Sequence, residues 1–347
     1  MTMQADYVWM DGEFVSWPEA KIHVMTNALH YGTGVFEGIR AYPSDEDLYV
    51  FRLRDHMARL LDSAAVYRLK CNFTIDELCS ATLELLRKNK IKTLAYIRPI
   101  IYASHLAVHL DLLKGSSSVA ICAFPMETLF EKAGLDVCVS SWRRIDDSST
   151  PPLAKACGNY INSILAKIEA SSNGFDDAIL LDRNGMVSEG TGENIFIVKS
   201  GKLVTPPLTC SILPGITRHT AMTVAQDVGV TVEERAMSRA ELYTSDEVFF
   251  TGTAAEIAPV LTIDRRTVSD GKVGPVTRKL IDLYAKIVRA KEPRYTHWAT
   301  SVYRNKSPHY SLEPSSARRS TSGVNPKSFT GWSDFELDLL REIRPQA

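Results

Sequence analysis

Residues 148–160 read SSTPPLAKACGNY, and this stretch places Lys155 between a loop rich in proline and serine and the start of a helix. Small neighbours leave room beside the amine for a flat molecule, and Tyr160 can bring a phenol to the same place. A lysine whose pKa is lowered by its surroundings attacks carbonyl groups and forms a Schiff base. Lys155 is therefore the candidate reactive centre, although a lysine on a loop is usually just solvated.

Composition limits the class of protein. The 347 residues are enough for two domains, each with its own core. Forty Lys and Arg against 41 Asp and Glu give no sign of nucleic acid or an anionic membrane as a partner. The six cysteines show no CxxC pair and no metal-ligand spacing, which argues against a zinc site or a disulfide scaffold. With no signal peptide or membrane span visible, we predict a soluble, cytoplasmic protein without a metal.

Turn dipeptides and apolar patterns predict the secondary structure. Asp11-Gly12 and Asn184-Gly185 favour β-hairpins, because both central residues of a type I′ turn need positive φ. Residues 93–102 alternate as a strand, which projects Tyr96 and Arg98 from one face. Helical spacing predicts helices near residues 53–65, 74–90, 159–171, 217–228 and 274–291.

Three further segments suggest a ligand. Residues 28–42 look like a strand with three glycines, which weaken a strand unless a backbone or ligand must approach closely. Residues 213–218 precede a helix whose free N–H groups, with the Thr217 hydroxyl, form an anion cradle. The small residues of 252–256 can offer N–H groups in the same way. Arg59, inside a helix, suits a phosphate if one lies nearby.

Each candidate residue also has an ordinary structural interpretation. Tyr31 and Phe36 could be core aromatics, and Arg40 could be a surface arginine. Glu189 and Glu193 could be plain turn carboxylates. Taken one at a time, the residues leave these alternatives open.

Six segments, taken together and in this order, closely resemble the branched-chain amino acid aminotransferases, which are class IV (fold-type IV) pyridoxal-phosphate enzymes. The segments are residues 31–40 (YGTGVFEGIR), 96–99 (YIRP), 155–160 (KACGNY), 188–194 (SEGTGEN), 213–218 (LPGITR) and 251–256 (TGTAAE). The resemblance extends over roughly residues 5–290. It overturns the interpretation of Lys155 as a merely solvated lysine.

The resemblance implies an α/β fold of the α+β type, with two α/β domains and the cofactor at their interface. It predicts a small N-terminal domain at residues 1–123, an interdomain connection at 124–132 and a larger cofactor-binding domain at 133–291. We expect the extension at 292–347 to be partly disordered because of its Ser/Pro/Gly-rich composition, with a short helix near 333–343. Relatives form homodimers or dimer-based hexamers, in which a neighbouring subunit contributes to the substrate pocket.

The resemblance also implies a cofactor site. Lys155 would be the catalytic residue: it would bond to pyridoxal phosphate and carry the proton between the substrate α-carbon and the cofactor. Glu189 would pair with the ring nitrogen, which keeps the ring an electron sink, and Tyr160 would hydrogen-bond the phenolate oxygen. The residues implied for the phosphate are Arg59, Ile216, Thr217 and Thr253.

Small-molecule amino acids and 2-oxo acids would be the substrates. The residues implied for them are Tyr31, Phe36, Gly38, Arg40, Tyr96, Arg98, Thr253 and Ala254. Tyr96 and the turn at 253–254 would bind the α-carboxylate, and Arg98 would meet the distal carboxylate of glutamate. Phe36, with Gly38 and Tyr31, would wall an apolar pocket, so one site would accept both kinds of side chain.

Two segments depart from the family pattern near this pocket. Residues 103–110 read ASHLAVHL where relatives carry a glycine-rich loop, which makes His105 and His109 candidates, although both could be surface or packing histidines. Met126 and residues 129–130 stand where close relatives often have a tryptophan and then a tyrosine. These changes could weaken glutamate binding or shift the amino donor.

The leading hypothesis is a transaminase that exchanges amino groups between leucine, isoleucine or valine and 2-oxoglutarate. An alternative is a class IV aminotransferase that acts on another amino acid or amine in a specialised pathway, as the two altered segments suggest. A non-catalytic binding protein of the same fold has only the extra tail in its favour. A D-amino acid aminotransferase or aminodeoxychorismate lyase is weaker still, because those relatives usually lack the 31–40 segment in this form.

Overall fold

The structure is a computed structural model that describes residues 5–45, 47–126 and 133–304. Most of the expected connection and the helix expected at 333–343 lie outside the described residues. The described helices are α1 (Asn27–Tyr31), α2 (Leu53–Val66), α3 (Ile75–Lys88), α4 (Tyr160–Ser172), α5 (Ile216–Asp227), α6 (Arg239–Leu242) and α7 (Pro275–Ile287). Short 3₁₀ helices lie at Trp17–Glu19, Leu112–Lys114, Leu208–Cys210 and Pro293–Trp298.

The described strands form two sheets. The first contains β1 (Tyr7–Met10), β2 (Glu13–Ser16), β3 (Gly34–Phe36), β4 (Ile39–Ser44), β5 (Asp47–Phe51), β6 (Ala95–Ala103), β7 (Ser117–Pro125) and β17 (Ala299–Ser301). The second contains β8 (Leu135–Arg143), β9 (Asp177–Leu181), β10 (Val187–Gly190), β11 (Asn194–Lys199), β12 (Lys202–Thr205), β13 (Val232–Glu234), β14 (Glu247–Gly252), β15 (Glu256–Ile263) and β16 (Arg266–Thr267).

The first sheet has the order β17-β5-β4-β6-β7-β1-β2, and β3 pairs with β6. Its described strand pairs are antiparallel. The β1–β2 hairpin turns at Asp11 (φ 48°) and Gly12 (φ 103°), which confirms the predicted turn with two positive φ values. The long strand β6 carries Tyr96 and Arg98 on one face, as the alternation predicted.

The second sheet has the order β10-β9-β8-β15-β14-β11-β12-β13, with β16 paired to β15. Strand β8 runs parallel to both β9 and β15, and β12 runs parallel to β13, whereas the other pairs are antiparallel. Such a mixed sheet beside an antiparallel one confirms the expected α+β type. The predicted β9–β10 hairpin is present and turns through Gly185 (φ 82°), but φ of Asn184 is not positive, so its turn differs from the type I′ form.

Helices bury the inner faces of both sheets. Helix α2 places Met57 and Leu60 in the core of the first sheet, and α3 adds Leu78. The capping box of Thr74 and Glu77 satisfies the first N–H groups of α3, as its sequence suggests. Helices α5 and α7 pack with aromatic side chains of β11 and β14 in a second core. Helix α2 is thereby held in place and can present Arg59 in a fixed position.

The chain returns to the first sheet at its described end. Strand β17 pairs with β5, although it lies beyond residue 291, where the larger domain was expected to end. Asp47 of β5 binds this segment: its carboxylate accepts hydrogen bonds from the Ser301 hydroxyl (2.5 Å) and the Tyr303 N–H (2.9 Å). Residues 293–304 are therefore ordered structure rather than a loose extension. The division into domains at 1–123 and 133–291 stays a prediction.

One local prediction was wrong. Residues 28–31, expected in a strand, belong to helix α1, which ends because Gly32 adopts the left-handed conformation (φ 66°) that favours glycine. The N-cap of α5 is Gly215, and Thr217 lies in the first turn of this helix. Across the described ranges, no helix has the length and apolar character needed to cross a bilayer.

Candidate active site

Backbone hydrogen bonds hold the loop that carries Lys155 against the first sheet. The Phe36 N–H donates to the Lys155 carbonyl (3.0 Å), and the Cys157 N–H donates to the Gly34 carbonyl (2.8 Å). The Lys155 N–H donates to Ser63 Oγ of α2 (3.0 Å). Because both its N–H and its carbonyl are hydrogen-bonded, the Lys155 backbone is fixed, and only its side chain can change conformation.

The Lys155 side chain points to the phenol that the sequence suggested. Nζ donates to the Tyr160 hydroxyl at 2.6 Å, and the lysine is half-buried. Tyr160 is the first residue of α4, and the buried Asn159 before it donates to the carbonyls of Pro151 and Ala154. The loop and the helix start are thus one hydrogen-bonded unit that presents amine and phenol together.

The amine and the phenol line a cavity together with a carboxylate. The cavity encloses about 370 Å³ of empty space, part of it open to solvent. Its lining includes Arg144, Lys155, Tyr160, Glu189, Glu193 and Asn194. Sequence positions 155, 160 and 189 are therefore brought to one place, as expected.

Glu189 is a buried carboxylate held by three partners. Arg144 Nη2 lies 2.8 Å from its Oε1, and Oε2 accepts from Asn194 Nδ2 (2.9 Å) and the Leu213 N–H (3.0 Å). Burial raises the pKa of Glu189, and Arg144, the Leu213 N–H and Lys155 oppose that rise. A carboxylate with a paired arginine in this position can stabilise a protonated ring nitrogen.

Glu193 differs from Glu189 in its surroundings. It is half-buried, and its Oε2 accepts from the Gly192 N–H at 2.9 Å. Desolvation and the like charge of Asp177 raise the pKa of Glu193 to about 8. The carboxyl group of Glu193 is therefore harder to ionise than an ordinary carboxyl group. Position in the sequence alone leaves these two carboxylates alike, and only the family resemblance selected Glu189, because the physical difference comes from their partners.

A second group of residues surrounds the start of helix α5. Arg59 donates from Nε and Nη2 to the two oxygens of Glu37 (2.7 and 2.9 Å) and from Nη1 to the Pro214 carbonyl (2.8 Å). Ile216 and the buried Thr217 form the first turn of α5, whose N–H groups carry partial positive charge. The guanidinium is thus tied directly to the residues that lead into the anion cradle.

Aromatic and cationic side chains meet beside Lys155. The Phe36 ring lies 4.9 Å from the Tyr160 ring and 5.2 Å from Lys155 Nζ. The Arg98 guanidinium lies 4.6 Å from the Phe36 ring, and its Nη2 donates to the Tyr96 hydroxyl at 2.8 Å. A Cβ at Gly38 would lie 2.2 Å from the Tyr96 hydroxyl, so only glycine at this position leaves room for the Tyr96 side chain.

Arg40, which was expected to bind substrate, binds other residues of the protein in this structure. Its side chain is buried, and Nη1 donates to Glu256 Oε1 (2.9 Å) and to the Ala254 carbonyl (3.4 Å). It therefore supports the turn after β14, in which Thr253 and Ala254 are half-buried. Direct contact of Arg40 with substrate stays a prediction, as do the substrate roles of Thr253 and Ala254.

Tyr31 stands apart from the other site residues. Its side chain at the end of α1 is 38% exposed, and the ring contact found for it among the described residues is with His30, at 6.3 Å. His105 and His109 stack on each other at 5.1 Å, and neither is among the residues that line the cavity. Neither histidine gains a role in the site from this geometry.

Sequence reasoning missed Arg144 and Glu37. Arg144 lies at the end of β8 in a run of two arginines, and nothing in the sequence distinguishes the buried one from its exposed neighbour. Glu37 lies inside a segment that was singled out, and a charged residue among aromatic and glycine positions was a usable signal. Both residues bind a predicted site residue rather than a ligand.

The donor set fits pyridoxal phosphate. Lys155 offers an amine for its aldehyde, Glu189 offers a carboxylate for its ring nitrogen, and Arg59 with the α5 first turn offers donors for its phosphate. Arg144 Nε is buried and has no hydrogen-bond partner in the described structure, as expected for a donor beside a site that takes a polar ligand.

Comparisons with known proteins agree with this geometry. The sequence model of the class IV amino-transferase family matches residues 34–263. The chain is 48% identical over 284 residues to the branched-chain-amino-acid aminotransferase of Escherichia coli K12, covering 80% of this chain and 92% of that protein. It is 45% identical over 302 residues to a probable branched-chain-amino-acid aminotransferase of Aquifex aeolicus, covering 86% and 97%.

Solved structures give the same result. The branched-chain aminotransferase from Thermoproteus uzoniensis with norvaline superposes with a TM-score of 0.84 at 48% identity, covering 86% of this chain and all of that one. The branched-chain amino acid aminotransferase from Thermobaculum terrenum in its PLP-form has a TM-score of 0.83 at 40% identity, covering 87% and 99%.

The buried ion pair yields a stability prediction. Arg144→Gln should lower the free energy of unfolding by about 3–5 kcal/mol, because it leaves the Glu189 carboxylate buried without a guanidinium. The pKa of Glu189 should then rise further above its unfolded value. The native state would bind a proton that the unfolded state releases, so the loss should grow as pH rises toward neutrality.

Urea unfolding at several pH values measures this effect. Arg54→Gln is the control, because that side chain is 63% exposed and pairs with Asp76 on the surface. The double variant Arg144→Gln/Glu189→Gln should recover part of the loss. A single-variant loss no greater than that of the control would contradict the prediction.

Proposed function

Since this chain belongs to the class IV aminotransferase family, we propose that it transfers amino groups between L-leucine, L-isoleucine or L-valine and 2-oxoglutarate, giving branched-chain 2-oxo acids and L-glutamate. The cofactor is pyridoxal phosphate, in agreement with relatives whose structures contain pyridoxyl and pyridoxamine compounds. The observation that carries the proposal is the joining of the Lys155–Tyr160 pair to Glu189 in one cavity, with Phe36 and Arg98 beside it.

The cofactor would be held at three points. Arg59, with the N–H groups of Ile216 and Thr217 and the Thr253 hydroxyl, would bind its phosphate. Glu189, paired with Arg144, would hold the proton on the ring nitrogen, and Tyr160 would donate to the ring oxygen. When bound, the cofactor supplies an electron sink and carries the amino group between the two half-reactions.

Lys155 would act as the acid and base. Its Nζ is fixed by the Tyr160 hydroxyl at 2.6 Å and can take a proton from the substrate α-carbon and return it on the cofactor side. The surrounding loop cannot swing away, because backbone hydrogen bonds hold it to β3. Positioning of this kind lowers the entropic part of the barrier.

One pocket would serve two kinds of substrate side chain. Phe36 supplies an apolar wall, and Gly38 leaves the space that Tyr96 fills. The Arg98 guanidinium lies over the Phe36 ring and has a buried Nε–H without a hydrogen-bond partner among the described residues. A branched aliphatic chain can pack on the ring, and the second carboxylate of glutamate can bind the guanidinium edge.

We further propose that the protein is a homodimer or a dimer-based hexamer, and that Tyr31 completes the pocket of the neighbouring subunit. Two segments expose a surface of apolar side chains: Val24, Leu29, Leu106, Val108 and Leu110 are 59–78% exposed. Asn27 ties the two segments together by donating to the carbonyls of Ala107 and His109. An ordered apolar surface of this kind is typical of protein association, and the changed 103–110 segment lies within it.

The dimer proposal predicts that Leu29→Asp weakens association, because a charge would be buried at the interface. Light scattering after size-exclusion chromatography should give a dimer or larger assembly for the wild type and a smaller species for the variant. Val66→Asp is the control, since Val66 is 50% exposed and lies on α2, outside this surface. An unchanged mass for Leu29→Asp would contradict the proposed interface.

The reaction proposal predicts half-reactions with single amino acids. Leucine, isoleucine, valine and glutamate should each bleach the visible band of the bound cofactor, and Lys155→Ala should not respond, because it lacks the proton carrier. Stopped-flow absorbance measures this, and Lys202→Ala, a half-exposed surface lysine paired with Glu233, is the control. Conversion only by another amino acid or amine would favour the alternative that residues 103–110 and 126–130 suggest.

Arg98 yields a prediction about substrate preference. Arg98→Met should lower kcat/KM for glutamate by about 100-fold, because a carboxylate would lose its charged partner, and should affect leucine far less. Arg183→Met, whose side chain is 63% exposed, is the matched control. Equal losses for the two substrates would show that Arg98 serves a step common to both.

We also propose a cytoplasmic location. All six cysteines are free, although four of them are only half-buried, which suits a reducing compartment. Fractionation of the source cells would test it, and recovery outside the cytoplasm would contradict it.

A further inference from the structure

We propose that Glu37 is a positioning residue for Arg59 and orients the guanidinium that receives the cofactor phosphate. The inference rests on the proposed function and adds a residue to it. Glu37 lies between β3 and β4, and its N–H donates to the Pro99 carbonyl of β6 (2.9 Å), so its backbone is tied to the sheet. Its side chain crosses to α2, which carries Arg59.

The side chains of Arg59 and Glu37 form a bidentate ion pair. Arg59 Nε donates to Glu37 Oε1 at 2.7 Å, and Arg59 Nη2 donates to Glu37 Oε2 at 2.9 Å. Parallel hydrogen bonds of this kind fix the plane of the guanidinium as well as its position. Arg59 Nη1 adds a third bond, to the Pro214 carbonyl at 2.8 Å.

The count of donors shows what remains for a ligand. A guanidinium has five N–H donors, and three are used by Glu37 and Pro214. One N–H on each terminal nitrogen stays available, and Pro214 leads directly into Gly215 and the first turn of α5. The two remaining donors are therefore held in a fixed plane beside the helix start, where a phosphate dianion is favoured.

His56 supports Glu37 from the other side. Its Nδ1 lies 2.6 Å from Glu37 Oε2, and because a carboxylate only accepts, Nδ1 carries the hydrogen. Both residues are buried, with Glu37 fully enclosed. Burial alone would raise the pKa of Glu37, but the nearby Arg59 and His56 outweigh it and hold the pKa well below its usual range. Glu37 is thus a permanent anion that Arg59 cannot leave without cost.

A purely structural ion pair would have the same geometry, so the test must separate the two roles. Pyridoxamine 5′-phosphate and pyridoxamine differ only by the phosphate, and neither bonds covalently to Lys155. A positioning role acts on the phosphate and should change the affinity for the first compound alone. A structural role would weaken both compounds equally, or would lower stability without changing either affinity.

The experiment titrates the full-length protein, freed of cofactor by dialysis, with each compound while protein fluorescence is followed. Glu37→Gln should weaken pyridoxamine 5′-phosphate binding by about 10- to 100-fold, as expected when a charge-assisted partner behind a ligand group is lost. Pyridoxamine binding should be almost unchanged. Glu247→Gln is the matched control, because Glu247 is also buried but accepts from the N–H groups that open α7.

Arg59→Met and the double variant Glu37→Gln/Arg59→Met complete the cycle. If Glu37 acts through Arg59, the double variant should bind pyridoxamine 5′-phosphate no more weakly than Arg59→Met alone. If Glu37→Gln does not fold, Glu37→Asp keeps the charge but is too short to reach both nitrogens, and it should show a smaller loss with the same phosphate selectivity. Circular dichroism identifies the folded variants.

Three results would overturn the inference: equal losses for both compounds in a folded Glu37 variant, unchanged affinity for both compounds in that variant, or additive losses in the double variant. Failure of the proposed function is a separate outcome, because it would appear as a wild-type protein that binds neither compound and converts no amino acid.

Discussion

The pairing of the Lys155 loop with strand β3 is the interaction on which the site depends. Lys155 and Cys157 lie between β8 and α4, whereas Gly34 and Phe36 belong to the first sheet, and two backbone hydrogen bonds join them. The approach is close: a Cβ at Gly32 would lie 3.1 Å from Gly158 Cα. Contact with this loop therefore explains why glycine is needed at the start of the 31–40 segment.

Two buried ion pairs fix the orientation of the charged groups in the site. Two enclosed glutamates each bind an arginine, Glu189 with Arg144 and Glu37 with Arg59. Such pairs add little net stability, because desolvation of the charges offsets their attraction. What they provide is fixed orientation and, for Glu37, a pKa held well below its usual range. In the proposed enzyme, Glu189 presents negative charge to a ring nitrogen, and Arg59 presents positive charge to a phosphate at the other end of the same molecule.

The substrate side of the site is less complete within one chain. Arg98 contacts both Phe36 and Tyr96, and Gly38 is there because any side chain would displace Tyr96. Tyr31, by contrast, is partly exposed, as are the apolar residues of the 103–110 segment. If Tyr31 walls a pocket as proposed, its exposure is understandable, because a second subunit would cover it. The segment that departs most from the family pattern would then act at an interface.

The linear sequence was sufficient to predict the local secondary structure and the reactive residues of the site. Both Asx-Gly hairpins, the helices that begin near 53, 74, 160 and 275, and the shared face of Tyr96 and Arg98 follow from short-range sterics and periodicity, which a linear pattern records. The six ordered segments together were enough for the family, and those at 155–160 and 188–194 were enough for the Lys155–Tyr160–Glu189 set. Which charged residues are buried together was settled by the packing of the folded chain. Arg144 and Arg143 are neighbours in the sequence, and Glu37 meets Arg59 across 22 residues. Strand β17 joins β5 from the far end of the described chain. Partners of this kind are chosen by the packing of distant elements, whose separation along the chain leaves no periodic signal in the sequence.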